Sequence, residues 1–249
     1  MFGILKALFV LFMYLITGGI FLLFAIPVSL LFLPFAKHKK IFSKLLRLYM
    51  KWMVSDVLKF LQVLEIKEIT GLQNIKKNVI VVANHQSFLD GFFVMGYIPC
   101  VPLMKSSYKF NPLFAWIAPF FNFIEIEFTP AGIIKADKKI RNLLKNKESV
   151  FILPEGTRSC NEKIKKFNSL AFKIANDLKI PILPITVYYS KPIMSKLKSS
   201  FIFSQKIDVK IHISQAIIPS QDETTAKLLT KTQSVIEEEF EKMRRQMES

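Results

Sequence analysis

The stretch VVANHQSFLDGFF, residues 81 to 93, places His85 five positions before Asp90 and directly after an apolar run. Five residues along a continuous helix separate two side chains by about 140°, so the pair can meet only if a turn intervenes. SFLD (87–90) has the Ser-x-x-acid spacing of a capping box, which predicts a helix start at Ser87. Asp90 could then hold one imidazole nitrogen and leave the other as a general base. A plain helix cap beside a loop histidine has the same spacing, so this stretch alone leaves both interpretations open.

A second polar cluster follows another apolar run, in FILPEGTRSCNEKIKKF, residues 151 to 167. Gly156 and Thr157 stand between Glu155 and Arg158, and three lysines follow. A loop at a strand end that carries a glycine, a hydroxyl and a guanidinium can present backbone N–H groups and positive charge to a phosphate. A Pro-Gly turn with a surface ion pair has the same composition, so this cluster also admits two interpretations by itself.

Several other catalytic arrangements are missing from the sequence. It contains no GxSxG and no HExxH motif, and the other histidines are His38, near the apolar N-terminus, and His212, in a late strand-like run. Cys100 and Cys160 form no CxxC or Cys/His cluster, so neither a zinc site nor a disulfide framework is indicated. With a base and no obvious protein nucleophile, the expected nucleophile is a hydroxyl group of the substrate.

The N-terminal segment is the most apolar part of the chain, and Ala7 to Ala36 contain no charged side chain. It exceeds the ~20 residues needed to cross a bilayer, although Gly18-Gly19, Pro27 and Pro34 interrupt it. It is also longer than a signal-peptide core and lacks a clear cleavage site, which predicts that it is retained. One spanning helix and a kinked pair of half-inserted helices both fit this pattern.

A basic segment, KHKKIFSKLLRLYMKWMV, follows directly (37–54). Its cations recur with helical period, and a set of apolar residues follows one position behind: Lys40, Lys44, Arg47 and Lys51, then Ile41, Leu45, Leu48 and Trp52. This pattern suits an interfacial helix on an anionic membrane, and it also suits a helix that packs on the domain with a solvated cationic face. Basic residues beside an apolar anchor indicate the cytoplasmic side.

The net charge of +16 predicts an anionic partner, and the apolar N-terminus favours lipid. The aromatic residues are mainly Phe in apolar runs, and no basic, aromatic-rich recognition motif occurs. We therefore expect no nucleic acid partner.

From residue 63 onward, strand-like apolar runs alternate with segments of helical period. The strand-like runs are 78–84, 101–105, 123–128, 149–154, 180–189 and 206–213, and the helical segments are 131–147, 168–179 and a C-terminal helix. The alternation predicts an α/β fold with a mixed, largely parallel sheet flanked by helices. We expect residues 1–60 to form a hydrophobic helical membrane anchor plus the basic interfacial helix, and residues 61–249 to form the α/β domain.

Taken together, the two polar clusters resemble the NHx4D and FPEGTRS signatures of the glycerophospholipid acyltransferases, whose bacterial type is 1-acyl-sn-glycerol-3-phosphate acyltransferase. NHQSFLD and LPEGTRS match them in order and separation, and IPILPITV (180–187) is similar to the VPxxPV block of the family. PLMKSSYKFNPLFAWIAPF (102–120) resembles its lysine followed by a proline-containing helix. The resemblance covers residues 63 to 215, and a hydrophobic N-terminus is usual for the family.

The resemblance implies transfer of a fatty acyl group from an acyl thioester to the sn-2 hydroxyl of 1-acyl-sn-glycerol-3-phosphate, forming phosphatidic acid in phospholipid biosynthesis. His85 would be the general base and Asp90 its orienting partner, and the transfer would be direct, without a covalent enzyme intermediate. The implied residues for the phosphate of the acceptor are Lys105, Glu155, Gly156, Thr157 and Arg158.

The resemblance also sets expectations about partners and location. The acyl donor would be carried by acyl carrier protein or coenzyme A, and no permanently bound cofactor and no metal are expected. The expected partners are membrane phospholipids, the lysophospholipid acceptor and the thioester carrier. The expected location is the cell inner membrane, with the catalytic domain on the cytoplasmic face.

The sequence departs from the family pattern at two places. Where the family usually has a glycine and then an arginine that helps to hold the phosphate, NFIEIEF (122–128) has Asn122 and then Glu127 or Phe128. An acid at the second position would repel a phosphate. A glycine often found after the PEGTRS block is also missing, with Leu170 nearest its place.

These departures keep two alternatives open. One is an acyltransferase for another lysophospholipid or a lyso-aminolipid, and the other is a non-enzymatic membrane protein that binds anionic lipid. For an enzyme, the Phe-rich residues 110–128 are the expected walls of an acyl-chain tunnel.

Overall fold

The computed structural model describes residues 2–31, 38–110, 122–159, 163–192 and 206–248. The strands are β1 (Leu64–Thr70), β2 (Ile80–Ala83), β3 (Val101–Lys105), β4 (Ile124–Ile126), β5 (Val150–Ile152), β6 (Ile182–Tyr189) and β7 (Ile207–Ile213). The helices are α1 (Phe2–Leu31), α2 (His38–Trp52), α3 (Asp90–Tyr97), α4 (Pro130–Lys145), α5 (Leu170–Leu178) and α6 (Thr225–Glu248). Shorter helical turns occur at Met53–Val57, Leu58–Phe60, Leu72–Asn74 and Ser106–Phe110.

The seven strands of the described residues form one sheet in the order β1-β7-β6-β2-β5-β3-β4. The five strands from β6 to β4 are mutually parallel, β7 runs antiparallel to β6, and β1 runs parallel to β7. The predicted mixed, largely parallel sheet is therefore confirmed. Because strands β2 to β6 are parallel, their carboxyl ends meet at one edge of the sheet, where ligands of such folds usually bind.

The central strand β2 explains why both faces of the sheet carry helices. Its four residues are all fully buried. Val81 and Ala83 pack in one apolar cluster with residues of α2 and α3, whereas Ile80 and Val82 pack in a second cluster with residues of α4, α5 and α6. Successive side chains of a strand point to opposite faces, so an unbroken apolar run such as IVVA needs cover on both sides.

The strand β1 was not predicted. It lies at the edge of the sheet, pairs with β7, and has the mixed sequence LEIKEIT, in which Lys67 and Glu68 are exposed. Edge strands often carry charged side chains, which leave no apolar run for a sequence pattern to detect.

The N-terminal helix α1 continues through Gly18-Gly19 and contains Pro27. Its stretch Leu8–Val28 has 21 residues and a mean hydropathy of 2.5, so length and composition would allow it to cross a membrane. It packs on α2, where Phe21 stacks on Tyr49 with ring centroids 4.6 Å apart. Pro34 and the other residues of 32–37 lie outside the described residues.

The basic helix α2 joins α1 to the α/β domain, since it packs on α1 and on α3. Its buried side chains include Phe42, Leu46 and Met50. Two residues of the predicted apolar stripe, Leu48 and Trp52, remain 55% and 46% exposed. The helix therefore has one apolar face that packs inside the protein and further apolar residues that stay at the surface.

Candidate active site

A cavity of about 1120 Å³ opens at the edge where the parallel strands end. Its described lining includes one residue from each of four places at this edge: His85 after β2, Lys105 at the end of β3, Phe128 after β4 and Arg158 after β5. Parallel pairing places these chain segments side by side although up to 73 positions separate them, from residue 85 to residue 158. The sheet therefore brings both polar clusters of the sequence to one cavity.

The imidazole of His85 and the carboxylate of Asp90 are in direct contact, with 2.9 Å between His85 Nδ1 and Asp90 Oδ2. The same oxygen accepts hydrogen bonds from the backbone N–H groups of Gln86 and Ser87, each at 2.8 Å. Asp90 is fully buried, whereas 15% of the His85 side chain is exposed toward the cavity. The carboxylate thus fixes the imidazole and the turn that carries it at the same time.

The helix that carries Asp90 begins later than the capping-box pattern predicted. The structure places its start at Asp90, and residues 88 and 89 form a turn. The two reciprocal bonds of a capping box are nevertheless present: the hydroxyl of Ser87 accepts the N–H of Leu89 at 3.1 Å, and the Asp90 carboxylate accepts the N–H of Ser87 at 2.8 Å. The predicted cap at Ser87 is therefore present, while the regular helix begins three residues later, with Asp90 in its first turn.

A tyrosine that the sequence patterns did not single out completes this network. Tyr189, the last residue of β6, donates its O–H to Asp90 Oδ1 at 2.5 Å. Burial, together with the neighbouring Asp90, holds the pKa of Tyr189 well above its ordinary value, so the phenol keeps its proton and remains a donor. In the sequence this residue looks like any aromatic at the end of an apolar strand, which is why it was missed.

The asparagine that precedes the histidine joins β2 to β6. Its side-chain amide donates to the Val187 carbonyl at 2.9 Å, and its carbonyl oxygen accepts the Val187 N–H at 2.8 Å. Asn84 is fully buried. It therefore continues the sheet pairing by one residue through its side chain and holds the strand end from which His85 projects.

The second polar cluster contributes residues with two different placements. Gly156, Thr157 and Arg158 line the cavity, whereas Glu155 is not among the described lining residues. Glu155 Oε1 instead accepts the N–H of His85 at 2.6 Å, and Oε2 accepts the N–H of Lys165 at 3.0 Å. Burial raises the pKa of Glu155 to about 7, and the two backbone N–H groups oppose this shift.

Gly156 occupies a backbone conformation that favours glycine, with φ at +68°. Directly beside it, the Phe128 ring lies 3.9 Å from the position that a Cβ at Gly156 would occupy. Lys105 is exposed and holds its Nζ 6.0 Å from the centroid of the Phe128 ring. The family pattern has an arginine where this chain has Glu127 or Phe128. Of these two residues, Phe128 lines the cavity and Glu127 is not among its described lining residues.

The cavity has an apolar part and a polar part. The apolar part is lined by residues of α2, α3 and their neighbours: Met50, Phe88, Phe92, Met95 and Tyr108. The polar part lies between α4 and α5, where Arg141 bonds to Asp137 at 2.8 Å and to Asp177 at 2.6 Å. Of the expected Phe-rich wall, Ile126 and Phe128 line the cavity, and residues 111–121 lie outside the described residues.

No group of three or more His, Cys, Asp or Glu side chains with the geometry of a metal site occurs among the described residues. Burial raises the pKa of Cys100 to about 12, which keeps its thiol protonated and unreactive. Cys160 lies outside the described residues.

Comparison with known proteins shows that the chain is similar to acyltransferases. A protein-family model described as Acyltransferase matches residues 66–188. The 1-acyl-sn-glycerol-3-phosphate acyltransferase of Saccharomyces cerevisiae is 33% identical over 146 residues, which is 56% of this chain and 48% of that protein. The alpha form from Mus musculus is 31% identical over 137 residues, which is 53% of this chain and 48% of that protein. The chain thus spans about half the length of these relatives.

The fold itself has a solved counterpart. The crystal structure of the 1-acyl-sn-glycerophosphate (LPA) acyltransferase PlsC from Thermotoga maritima superposes with a TM-score of 0.73. The match covers 96% of this chain and 94% of that chain, at 23% sequence identity. At this identity the likeness concerns the fold.

Proposed function

From the match of residues 66–188 to the acyltransferase family model, we propose that this chain is an acyltransferase that acylates the sn-2 hydroxyl of 1-acyl-sn-glycerol-3-phosphate from an acyl thioester, forming phosphatidic acid. The observation that supports this proposal most strongly is the His85–Asp90 pair at a cavity that Arg158 also lines. A base beside a cation suits an acceptor that carries a hydroxyl and a phosphate on one small backbone.

The proposed mechanism begins with the protonation state of His85. Because Asp90 accepts the proton on Nδ1, the Nε2 lone pair is left free to take a proton from the acceptor hydroxyl. The resulting alkoxide attacks the thioester carbonyl, and the tetrahedral intermediate then collapses with loss of the thiolate of the donor. The proton on Nε2 passes to that thiolate, so His85 returns to its starting state and no acyl group is bound to the protein.

The immediate surroundings of the pair restrict what else takes part. The N–H groups of Gln86 and Ser87 are already bonded to Asp90, so they are not available to an oxyanion. The imidazolium formed after proton transfer lies next to the developing negative charge and stabilises it. Asp90 in turn stabilises the imidazolium.

Phe128 supports a second acceptor class. The family pattern has an arginine where this chain has Glu127 or Phe128, and of these two Phe128 lines the cavity, together with the cations Lys105 and Arg158. If they do not suffice for a phosphate monoester, the acceptor is another lysophospholipid or a lyso-aminolipid. The acyl chain of the substrate would occupy the apolar part of the cavity, beside Met50 and Phe92.

The acyl group is carried by coenzyme A or by acyl carrier protein, and the chain needs no permanently bound cofactor. We place α1 in the cell inner membrane and the α/β domain on its cytoplasmic face, which the apolar stretch Leu8–Val28 and the basic helix α2 support.

The test is acyl transfer by the purified full-length chain in detergent, with a labelled acyl thioester on each carrier and a panel of lysolipids. Selective acylation of lysophosphatidate is the expected result. H85A should lower kcat by about 10²- to 10⁴-fold while the protein stays folded, because a general base contributes that much. Transfer to a different lysolipid alone would favour the second acceptor class, and no transfer to any acceptor would overturn the enzyme assignment.

A further inference from the structure

The two ends of the loop that lines the cavity are both bonded to the backbone of His85. At one end the Glu155 carboxylate accepts the His85 N–H at 2.6 Å. At the other end Ser159 donates to the His85 carbonyl, from its N–H at 2.7 Å and from its hydroxyl at 3.0 Å. Glu155 and Ser159 are 9% and 3% exposed, and neither is among the described residues of the cavity lining. The stretch 156–158 between them does line the cavity.

We propose that Glu155 and Ser159 are positioning residues, which hold His85 at a fixed place relative to the loop that carries Arg158. Neither residue binds the acceptor in this proposal, although sequence resemblance assigned Glu155 to the phosphate. We call the hydrogen bonds from Glu155 and Ser159 to the backbone of His85 the clamp. Its catalytic meaning rests on the proposed function, whereas the presence of the clamp can be tested separately.

The position of His85 in the fold explains why a clamp is needed. β2 ends at Ala83, so the backbone N–H and carbonyl of His85 lie beyond the strand pairing. Buried backbone groups without partners are costly, and Glu155 and Ser159 supply partners for both groups of this residue. A base must also stay within hydrogen-bond reach of the acceptor hydroxyl, and a displacement of about 1 Å can lower a rate by about 10²-fold.

The chemistry of Glu155 also argues against a role as a phosphate ligand. Its two oxygens accept backbone N–H groups from His85 and Lys165. The carboxyl group is thus bonded to the protein backbone through both oxygens, and in its ionised form it repels the phosphate charge. Lys165 makes a further contact with the loop 156–158, because its Nζ donates a hydrogen bond to the Arg158 carbonyl at 2.8 Å.

The kinetic test compares E155Q, S159A and R158Q in the full-length chain. Glutamine is nearly isosteric with glutamate, but its NH₂ group cannot accept a hydrogen bond, so one of the two backbone bonds is lost. We expect E155Q to lower kcat by about 10- to 100-fold while the KM for the acceptor changes little, because the base is displaced and the cation is not. S159A should have a milder effect of the same kind, since the Ser159 N–H still bonds to His85.

R158Q is the matched control on the same loop. Because Arg158 lines the cavity, R158Q should raise the KM for the acceptor. If E155Q instead raised the KM for the acceptor as R158Q does and left kcat unchanged, the clamp would be overturned and Glu155 would be assigned to the acceptor site. Thermal unfolding of each variant in the same detergent separates these kinetic effects from a loss of folded protein.

A second measurement does not depend on activity. Hydrogen–deuterium exchange of the peptide that contains His85 should become faster in E155A, which removes both acceptor oxygens, and should stay unchanged in R158Q, because Glu155 and not Arg158 bonds to the His85 N–H group. Unchanged exchange in E155A would overturn the clamp even if the enzyme were active. Faster exchange in a protein that acylates no lysolipid would support the clamp and reject the proposed function.

Discussion

Asp90 is the residue at which the most interactions of the site converge. Its carboxylate accepts from the imidazole of His85, from two backbone N–H groups of the turn, and from the phenol of Tyr189. A fully buried carboxylate requires such a set of donors, because an unsatisfied buried charge is costly. The donors that satisfy Asp90 are also the groups whose geometry the proposed chemistry requires.

At this scale we predict that Y189F weakens both the fold and the reaction. Loss of one hydrogen bond to a charged group should lower the free energy of unfolding by about 1.5–3 kcal/mol. We expect kcat to fall by about tenfold, the equivalent of ~1.4 kcal/mol, because Asp90 keeps its other donors and the pair survives in a less rigid form. Thermal unfolding in detergent and initial rates of acyl transfer measure the two effects.

Y188F is the control for this prediction. Tyr188 is the preceding residue of β6 and points to the opposite face, where its ring packs on Phe240 with centroids 5.2 Å apart. Its kcat should equal that of the wild type. A kcat for Y189F that matched that of Y188F would mean that the phenol of Tyr189 does not support the dyad.

At the scale of elements, the close packing of α2 on α3 joins the membrane-proximal helices to the site. A Cβ at Gly96 in α3 would lie 3.1 Å from the Cα of Lys51 and 3.2 Å from its backbone nitrogen. A backbone neighbour cannot move aside as a flexible side chain can. The glycine therefore allows an approach of two helices that carry residues of the cavity, Met50 on α2 and Phe92 on α3.

We predict that G96V forces α2 away from α3 and lowers the free energy of unfolding by about 1–3 kcal/mol, the usual cost of overpacking. G91A on the same helix is the control. The nearest atom to a Cβ at Gly91 is the flexible Met95 Cε at 3.6 Å, so G91A should be tolerated or gain up to about 1 kcal/mol from helix propensity. The measurement is the thermal unfolding of both variants in one detergent. Equal unfolding temperatures for G96V and G91A would contradict the close packing of α2 on α3 at Gly96.

At the scale of the whole molecule, charge and hydrophobicity act on the membrane in different ways. The net charge of +16 attracts the protein to an anionic surface over a distance that salt shortens. The apolar stretch Leu8–Val28 lies in a helix whose surface has many exposed apolar side chains, including Leu23, Phe24 and Leu31. That surface needs hydrocarbon or another apolar partner, which salt does not replace.

We therefore predict that membranes from cells that produce the full-length chain retain it during a wash with about 1 M salt, where the Debye length is about 3 Å. Detergent should release it, because detergent replaces the contacts of α1 with hydrocarbon. Immunoblotting of the pellet and supernatant fractions provides the readout. Release by salt alone would show that electrostatic attraction holds the protein and that α1 is not inserted.

The sequence by itself determined the parts of this protein that depend on local pattern. The apolar runs of β2, β3 and β6 and the helical periods of α4 and α5 were predicted to within a few residues, because a strand buried on both faces has a continuous apolar sequence. The spacing of NHQSFLD also indicated that a turn must bring His85 to Asp90, and the two atoms are 2.9 Å apart.

The tertiary structure decided the parts that depend on residues far apart in the chain. The partners of Asp90 and His85 include Tyr189, 99 positions from Asp90, and Glu155, 70 positions from His85, and no local pattern relates them. The edge strand β1 was missed for a related reason, because it is defined by its pairing with β7. The hydrogen bonds that Tyr189 and Glu155 make form only when parallel strands bring their ends together, so the sequence supplied the chemical groups and the fold supplied their partners.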